Sequence, residues 1–156
     1  MNFSDGFRLR GDLSIVVRRA ADRRVLERIL IRNTITFNGL HGALRLLKQD
    51  ENAPTDYQIA SIRAGSGTTP PTREDLGLES PVFTVPLDAT TRQLVLSSSE
   101  LVLSATLGVG DAVGNTVSEA GWFYANGQMG GRQVHVPIPL TGLITVTYTW
   151  RLGATT

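Results

Sequence analysis

The strongest constraint on the fold of this chain is a strict alternation of large apolar and polar residues near its C-terminal end. Three threonines and an arginine fill the positions between the apolar ones. A β-strand places alternate residues on opposite faces, whereas a helix would scatter such a pattern around its axis. Residues 142–152 are therefore predicted to form a strand with one face in a core. The apolar set is Ile144, Val146, Tyr148, Trp150 and Leu152.

Short segments rich in β-branched and apolar residues recur about every ten residues, with turn-forming residues between them. This spacing is typical of sandwiches and barrels. The expected fold class is mostly β, an antiparallel β-sandwich of jelly-roll-like type that forms a single domain over residues 1–156. The nine predicted strands cover residues 13–17, 25–32, 57–64, 81–87, 93–98, 100–107, 117–125, 132–139 and 142–152.

The first two strands make a predicted N-terminal β-hairpin over residues 12–32. Its second strand has apolar residues on both faces, so we expect one face to meet the core and the other a partner. The strand at residues 132–139 is expected at a sheet edge, because Pro137 and Pro139 lack amide donors.

One short helix is predicted near residues 37–48, with Thr36 or Asn38 as its N-terminal cap. Its apolar residues recur at spacings of three and four, which places them in one stripe. We expect this stripe to lie across an edge or end of the β core. The stripe consists of Phe37, Leu40, Leu44 and Leu47.

The longest segment without strand character is the loop at residues 64–79, which contains Pro70 and Pro71 in tandem. Adjacent prolines favour an extended polyproline conformation. We therefore expect the loop to project from the sandwich and to contact a neighbouring subunit.

Charge divides the chain into two unlike parts. Residues 1–50 carry ten Lys/Arg against five Asp/Glu, whereas residues 51–156 carry five against nine. Aromatic residues, which single-stranded nucleic acids would need for stacking, do not interleave with the densest basic patch. We expect contacts between oppositely charged surfaces of subunits rather than a nucleic-acid partner. The basic patch consists of Arg18, Arg19, Arg23 and Arg24.

The sequence lacks the usual motifs of catalysis, phosphate binding and metal binding. There is no cysteine, the glycine-rich stretch at residues 65–69 has no following lysine for a phosphate loop, and His41 and His135 fall in no ligand or catalytic spacing. No segment reaches the roughly 20 apolar residues that a membrane-spanning helix needs. We therefore expect no enzyme, catalytic residue, cofactor, metal or membrane association.

Interface residues are the remaining candidates for function. Beside the four arginines of the basic patch, Trp122 is a candidate anchor because a large aromatic side chain contributes strongly to contacts between subunits. The tip of the loop supplies the other candidates, Thr68, Thr69, Pro70 and Pro71.

Taken over roughly residues 12–152, the sequence resembles small structural proteins of tailed-bacteriophage virions. The resemblance implies a β-sandwich component of a tail, tail fibre, collar or decoration layer, in which none of these residues is catalytic. The residues that carry it are Arg32-Asn33-Thr34-Ile35-Thr36 with Gly39-Leu40, residues 62–72 leading into residues 75–79, residues 119–123 and the closing strand at residues 144–150.

The function expected from this resemblance is that of a non-enzymatic structural subunit of a virion, assembled in the cytoplasm of a bacterial host. It would form a homo-oligomer in the tail, baseplate or neck, with other virion proteins and copies of itself as partners. Two alternatives remain open. One is a capsid decoration (cement) protein, and the other is a carbohydrate-binding module that uses Trp122 or Tyr124.

Overall fold

Ten strands and two helices make up the computed structural model, which describes residues 8–49 and 51–155. The elements are β1 (Arg8–Arg19), β2 (Val25–Arg32), β3 (Thr34–Ile35), α1 (Phe37–Lys48), α2 (Ala53–Asp56), β4 (Ile59–Gly65), β5 (Pro81–Pro86), β6 (Arg92–Val95), β7 (Glu100–Leu107), β8 (Thr116–Tyr124), β9 (Met129–Pro139) and β10 (Ile144–Thr155).

The strands form two five-stranded antiparallel sheets. Sheet A has the order β2-β1-β10-β7-β6, and sheet B has the order β3-β9-β8-β4-β5. The predicted antiparallel β-sandwich is confirmed, and each of the nine predicted strands has an observed counterpart. The tenth strand, β3, is only two residues long. It is too short to show an alternation in the sequence.

Strand β10 lies at the centre of sheet A, between β1 and β7. Trp150 is opposite Leu13 on one side and Leu103 on the other, and all three side chains are fully buried. The apolar members of the alternation thus enter a core that also receives Ile62 and Trp122 from sheet B. The strand phase deduced from the alternation is confirmed.

Helix α1 begins where expected, because the Thr36 side chain accepts a hydrogen bond from the Gly39 amide at 3.1 Å. The orientation expected for its apolar stripe is wrong. Leu44 and Leu47 are 48% and 73% exposed, whereas the buried positions of the helix are Gly39 and Gly42. The helix approaches sheet B through these glycines. Leu44, Leu46 and Leu47 turn outward, whereas Leu40 is half-buried.

The absence of side chains at Gly39 and Gly42 allows α1 to approach sheet B this closely. A Cβ atom on Gly39 would lie 2.0 Å from the Gly130 carbonyl oxygen, and one on Gly42 would lie 2.5 Å from the Tyr124 ring. The Tyr124 hydroxyl donates a hydrogen bond to the Gly39 carbonyl at 2.7 Å. The helix backbone therefore sits directly on the sheet, closer than a helix carrying leucines on that side could come.

The edge predicted for residues 132–139 is present along part of β9. Strand β3 pairs only with Gly131 and Arg132 of β9. Beyond Arg132, no described strand pairs with β9 on the side away from β8. Pro137 and Pro139 lie in this unpaired part, where a missing amide donor costs no ladder hydrogen bond. Neither described helix is long and apolar enough to cross a membrane.

Candidate interaction surfaces

A buried carboxylate holds the long loop against sheet B. Glu119 of β8 is fully inaccessible, while its neighbour Ala120 packs in the core between the sheets. The Oε1 atom of Glu119 accepts hydrogen bonds from the amides of Gly67 at 3.1 Å and Ser80 at 2.8 Å. The same carboxylate therefore binds the beginning and the end of the loop.

Arg132 of β9 extends this contact to the middle of the loop. Its Nε donates to Glu119 Oε2 at 2.8 Å, and its Nη1 donates to Asp75 Oδ2 at 2.8 Å. The Glu79 carboxylate lies farther off, 3.6 Å from Nη2. Arg132 is only 3% exposed, so three acidic side chains surround a buried guanidinium. We call Asp75, Glu79, Glu119 and Arg132 the loop-lock cluster.

Hydrogen bonding outweighs burial in setting the pKa values of Arg132 and Asp75. Burial would lower the pKa of Arg132, but hydrogen bonds to Asp75 and Glu119 raise it above its ordinary value. Burial would likewise raise the pKa of Asp75, but hydrogen bonds from Thr72 and Arg132 bring it below its ordinary value. Arg132 and Asp75 are accordingly both charged at neutral pH, and they pair with each other at 2.8 Å.

The loop tip is shaped by two further carboxylate contacts. Glu79 accepts hydrogen bonds at 2.9 Å from the amides of Thr68 and Thr69, and Asp75 accepts one at 3.0 Å from the Thr72 amide. The expectation that the loop projects is therefore wrong, because the chain folds back onto the loop-lock cluster. Of the candidate interface residues in it, Thr68, Thr69 and Pro70 are exposed, and Pro71 is half-buried.

Trp122 is not a surface residue. It is 1% exposed and packs edge to face against Tyr124, with ring centroids 5.3 Å apart. Cβ atoms on Gly130 and Gly131 would fall within 1.8 and 2.4 Å of the indole, so these glycines make room for it. The prediction of Trp122 as an interface anchor is wrong, since the indole fills the core instead.

The basic patch forms one exposed surface at the β1–β2 turn. The Arg19 amide donates to the Arg24 carbonyl at 2.9 Å, and Asp22 binds the turn through the Arg24 amide at 3.1 Å. Arg19, Arg23 and Arg24 are exposed, whereas Arg18 is half-buried. Among the described residues, Arg18, Arg23 and Arg24 make no ion pair, so their charges are available to a partner.

The turn and the loop are far apart. Arg73 of the loop lines a cavity together with Arg10, near the start of β1, whereas the turn follows the end of that strand. Nine residues of extended chain span roughly 30 Å. The structure therefore brings the four arginines together but places them at the other end of the sandwich from Arg73.

Two apolar surfaces are exposed in the structure, and only the second of them was expected from the sequence. The first, which we call the helix stripe, consists of Phe37, Leu44 and Leu47 on the outer side of α1, with Phe37 43% exposed. The second lies on the edge strand β2, where Leu26 and Leu30 are 48% and 78% exposed. On β2 the expected two-sided pattern holds, because Ile29 and Ile31 pack against the core.

Neither a metal centre nor a relative identifies a chemical activity. Within residues 8–49 and 51–155, no three His, Cys, Asp or Glu side chains converge as metal ligands would. His135, one of the two histidines, is buried between the sheets. In comparisons with protein-family models, curated proteins and solved structures, no significant match to the chain was found.

Proposed function

We propose that this chain is a non-enzymatic structural subunit of a bacteriophage virion that assembles through protein contacts in the tail, baseplate or neck. The observation that carries the proposal is the helix stripe. An amphipathic helix in a single-chain domain normally turns its apolar residues toward the core. In α1 the side that carries the glycines faces the core instead. The apolar side is exposed and can pack against another protein.

The edge strand β2 supports the same function. Its outward leucines lie on a strand whose second side pairs with no other strand of the described chain. Exposed apolar edges invite pairing or packing with a further chain. A subunit built into an assembly would cover both surfaces, one against a copy of itself and one against a different virion protein.

The loop-lock cluster supports a structural role, because it holds the loop in one conformation. Paired charges and main-chain hydrogen bonds fix residues 66–80 on sheet B, so the surface around Thr68–Pro70 has a defined shape before any partner binds. Preformed surfaces lose little conformational entropy on association. The resemblance of the sequence to tailed-phage structural proteins is the reason for proposing a phage virion as the assembly.

A mass-spectrometric census of purified particles, separated into heads and tails, tests the proposal. We expect the protein in the tail fraction at a stoichiometry set by the symmetry of the assembly. Hundreds of copies on tail-free heads would favour the capsid decoration alternative. Absence from both fractions would overturn the virion role.

The helix stripe can be tested separately in solution. Leu47→Glu should reduce self-association measured by sedimentation, because it places a charge in the stripe. Leu96→Glu is a matched control, since Leu96 is 79% exposed and lies outside the stripe. Equal association of both variants would exclude α1 from the contact between copies.

The carbohydrate-binding alternative gains no support from the structure. A glycan-binding surface needs exposed aromatic rings, but Trp122 and Tyr124, the two residues considered for it, are 1% and 4% exposed.

A further inference from the structure

Among the described strands, three of the four sheet edges carry features that discourage pairing with another chain. Strand β6 has only four residues, and β5 begins and ends in proline, at Pro81 and Pro86. On the third edge, the unpaired part of β9 contains Pro137 and Pro139. Short strands and prolines are common means by which an edge avoids such pairing. These three edges are therefore protected.

The fourth edge, strand β2, has none of these features. Its eight residues include no proline, glycine or lysine. One side of β2 pairs with β1 from Val25 to Arg32, and the other side pairs with no strand of the described chain. Leu30 is 78% exposed, which is the highest value for a large apolar residue in any described strand. The main chain and this leucine therefore suit β2 to pairing with a strand of another chain.

The sequence of β2 restricts how a second copy of the chain could pair with it. Two copies related by a two-fold axis present the same surface to each other, so their β2 strands run antiparallel. Residues that lie opposite each other must come from the same face of the continued sheet. The centre of the pairing then falls on one residue of β2. The centres that pair most of the strand are Glu27, Arg28, Ile29 and Leu30.

Of these four centres, only Ile29 keeps like charges apart. Centres at Glu27 and Arg28 place each of these residues opposite its own copy. A centre at Leu30 places Arg28 opposite Arg32 of the other copy. Like charges directly opposite each other destabilise a sheet. With Ile29 at the centre, Arg28 lies opposite Leu30 of the other copy, and the arginine stem can cover the exposed leucine.

We propose that two copies of this chain pair through β2, antiparallel and centred on Ile29, so that sheet A of one copy continues into sheet A of the other. The inference deepens the proposed function, because it names a surface that joins two copies of the subunit. Main-chain groups on the outer side of β2 hydrogen-bond to the same groups of the other copy. Leu30 packs on Arg28 of the other copy and lies diagonal to the Leu30 of that copy, within reach of its side chain.

Disulfide cross-linking measures this register directly, because the chain has no cysteine of its own. Arg28→Cys and Leu30→Cys are made as separate variants, and both should fold because both positions are exposed. Oxidation of an equal mixture should form the mixed pair about fivefold or more faster than either variant cross-links with itself. Directly opposite residues have Cα atoms about 4.5–5.5 Å apart, within the range of a disulfide, whereas diagonal residues at about 7–8 Å are too distant.

Each rival register would give a different cross-linking result. A centre at Arg28 would let Arg28→Cys cross-link with itself, and a centre at Leu30 would do the same for Leu30→Cys. Either variant cross-linking with itself as fast as the mixture reacts would overturn the proposed register. A wild-type chain that stays monomeric in sedimentation up to its solubility limit would overturn the pairing itself.

A charge substitution tests the contact without cysteines. Leu30→Lys should raise the dissociation constant of the pair about tenfold, because the new charge lies opposite Arg28 of the other copy. Leu94→Lys is the matched control, since Leu94 is 66% exposed on β6, the other edge of the same sheet. Its dissociation constant should stay within about twofold of the wild type. Equal dissociation constants for the two variants would exclude β2 from the contact.

The β2 contact and the virion role fail in different ways. Cross-linked pairs of a chain that is absent from purified particles would contradict the virion role alone. A chain that is present in particles, but whose cysteine variants do not cross-link there or in solution, would contradict the β2 contact alone.

Discussion

The Tyr148 hydroxyl lies 3.2 Å from His135 Nε2 and joins the two sheets of the sandwich through a polar contact. The other ring nitrogen, Nδ1, is 2.8 Å from the Val136 carbonyl oxygen, which can only accept a hydrogen bond. Nδ1 therefore carries the proton, and Nε2 accepts from Tyr148. Because burial lowers the pKa of His135, the imidazole stays neutral in the folded chain.

This contact predicts acid sensitivity. An unfolded histidine has a pKa near 6.5, so the unfolded chain binds a proton below that pH while the folded chain resists it. The contribution of neutral His135 to the free energy of unfolding should be fully present above about pH 6.5. Below that pH the free energy of unfolding should fall by up to about 1.4 kcal/mol per pH unit. Urea titrations at pH 7.5 and 5.5 measure the difference. In His135→Gln the difference should shrink, and equal stability of the wild type at both values would contradict the assignment.

Arg132→Met should destabilise the chain by about 3 kcal/mol, because it leaves Glu119 buried without its cationic partner. Residues 66–80 should then become accessible to protease. Arg73→Met, in an exposed part of the same loop, should cost less than about 0.5 kcal/mol. Denaturant titration and limited proteolysis of both variants give the comparison. A loop equally protected in the Arg132 variant would mean that the backbone alone fixes it.

Gly39→Ala should separate α1 from sheet B, since the added Cβ would lie 2.0 Å from the Gly130 carbonyl oxygen. Overpacking of this kind typically costs about 1–3 kcal/mol. Gly77→Ala is the control, because a Cβ there meets nothing within 4 Å. That variant should be neutral or slightly more stable. Similar unfolding midpoints for both would show that the helix moves away at little cost.

The sequence was most informative about the strands. Alternation in β10 fixed both its position and its buried face, because a period of two has only one structural meaning. The orientation of α1 could not be deduced in the same way. Its leucines form a stripe with the right period, but the docking is decided by Gly39 and Gly42, whose fit depends on Gly130 and Tyr124 in distant strands.

The loop-lock cluster left a weaker signal in the sequence. Glu119 is the single charged residue in an otherwise uncharged β8, and Arg132 is the single one in β9. A buried charge needs a partner, but the sequence does not show which strand charges are buried, since Arg151 of β10 is exposed. Which loop residue supplies that partner depends on tertiary folding and cannot be deduced from the sequence. The tandem prolines therefore suggested a projecting loop, whereas Asp75 and Glu119 hold the loop against sheet B.

Trp150→Ala should cost about 3–5 kcal/mol, the usual range for deleting a large aromatic side chain from a core. Trp150 is 0% exposed at the centre of sheet A. Chemical denaturation followed by circular dichroism measures the loss. A change below about 1 kcal/mol would show that the core closes over the space without penalty.

Reversing the charge of Arg23 and Arg24 to Glu should weaken association between copies at low salt and leave the fold intact. Both side chains are exposed at the turn and make no ion pair among the described residues. Charges farther apart than about 8–10 Å are screened at physiological ionic strength, so the effect requires close pairs. Sedimentation at two salt concentrations measures the association between copies. Unchanged association of the folded double variant would show that the turn faces solvent and not a neighbouring subunit.

The pairing of β1 with β10 places the earliest and latest strands of the described chain side by side, with Leu13 opposite Trp150. On the ribosome, β1 emerges long before its neighbour exists. At about 5–20 residues per second, the wait is on the order of ten seconds. During that time Leu13, Ile15 and Val17 have only β2 beside them. Sheet A can close only after β10 has been made, so until then the N-terminal hairpin exposes an apolar face that a chaperone can bind.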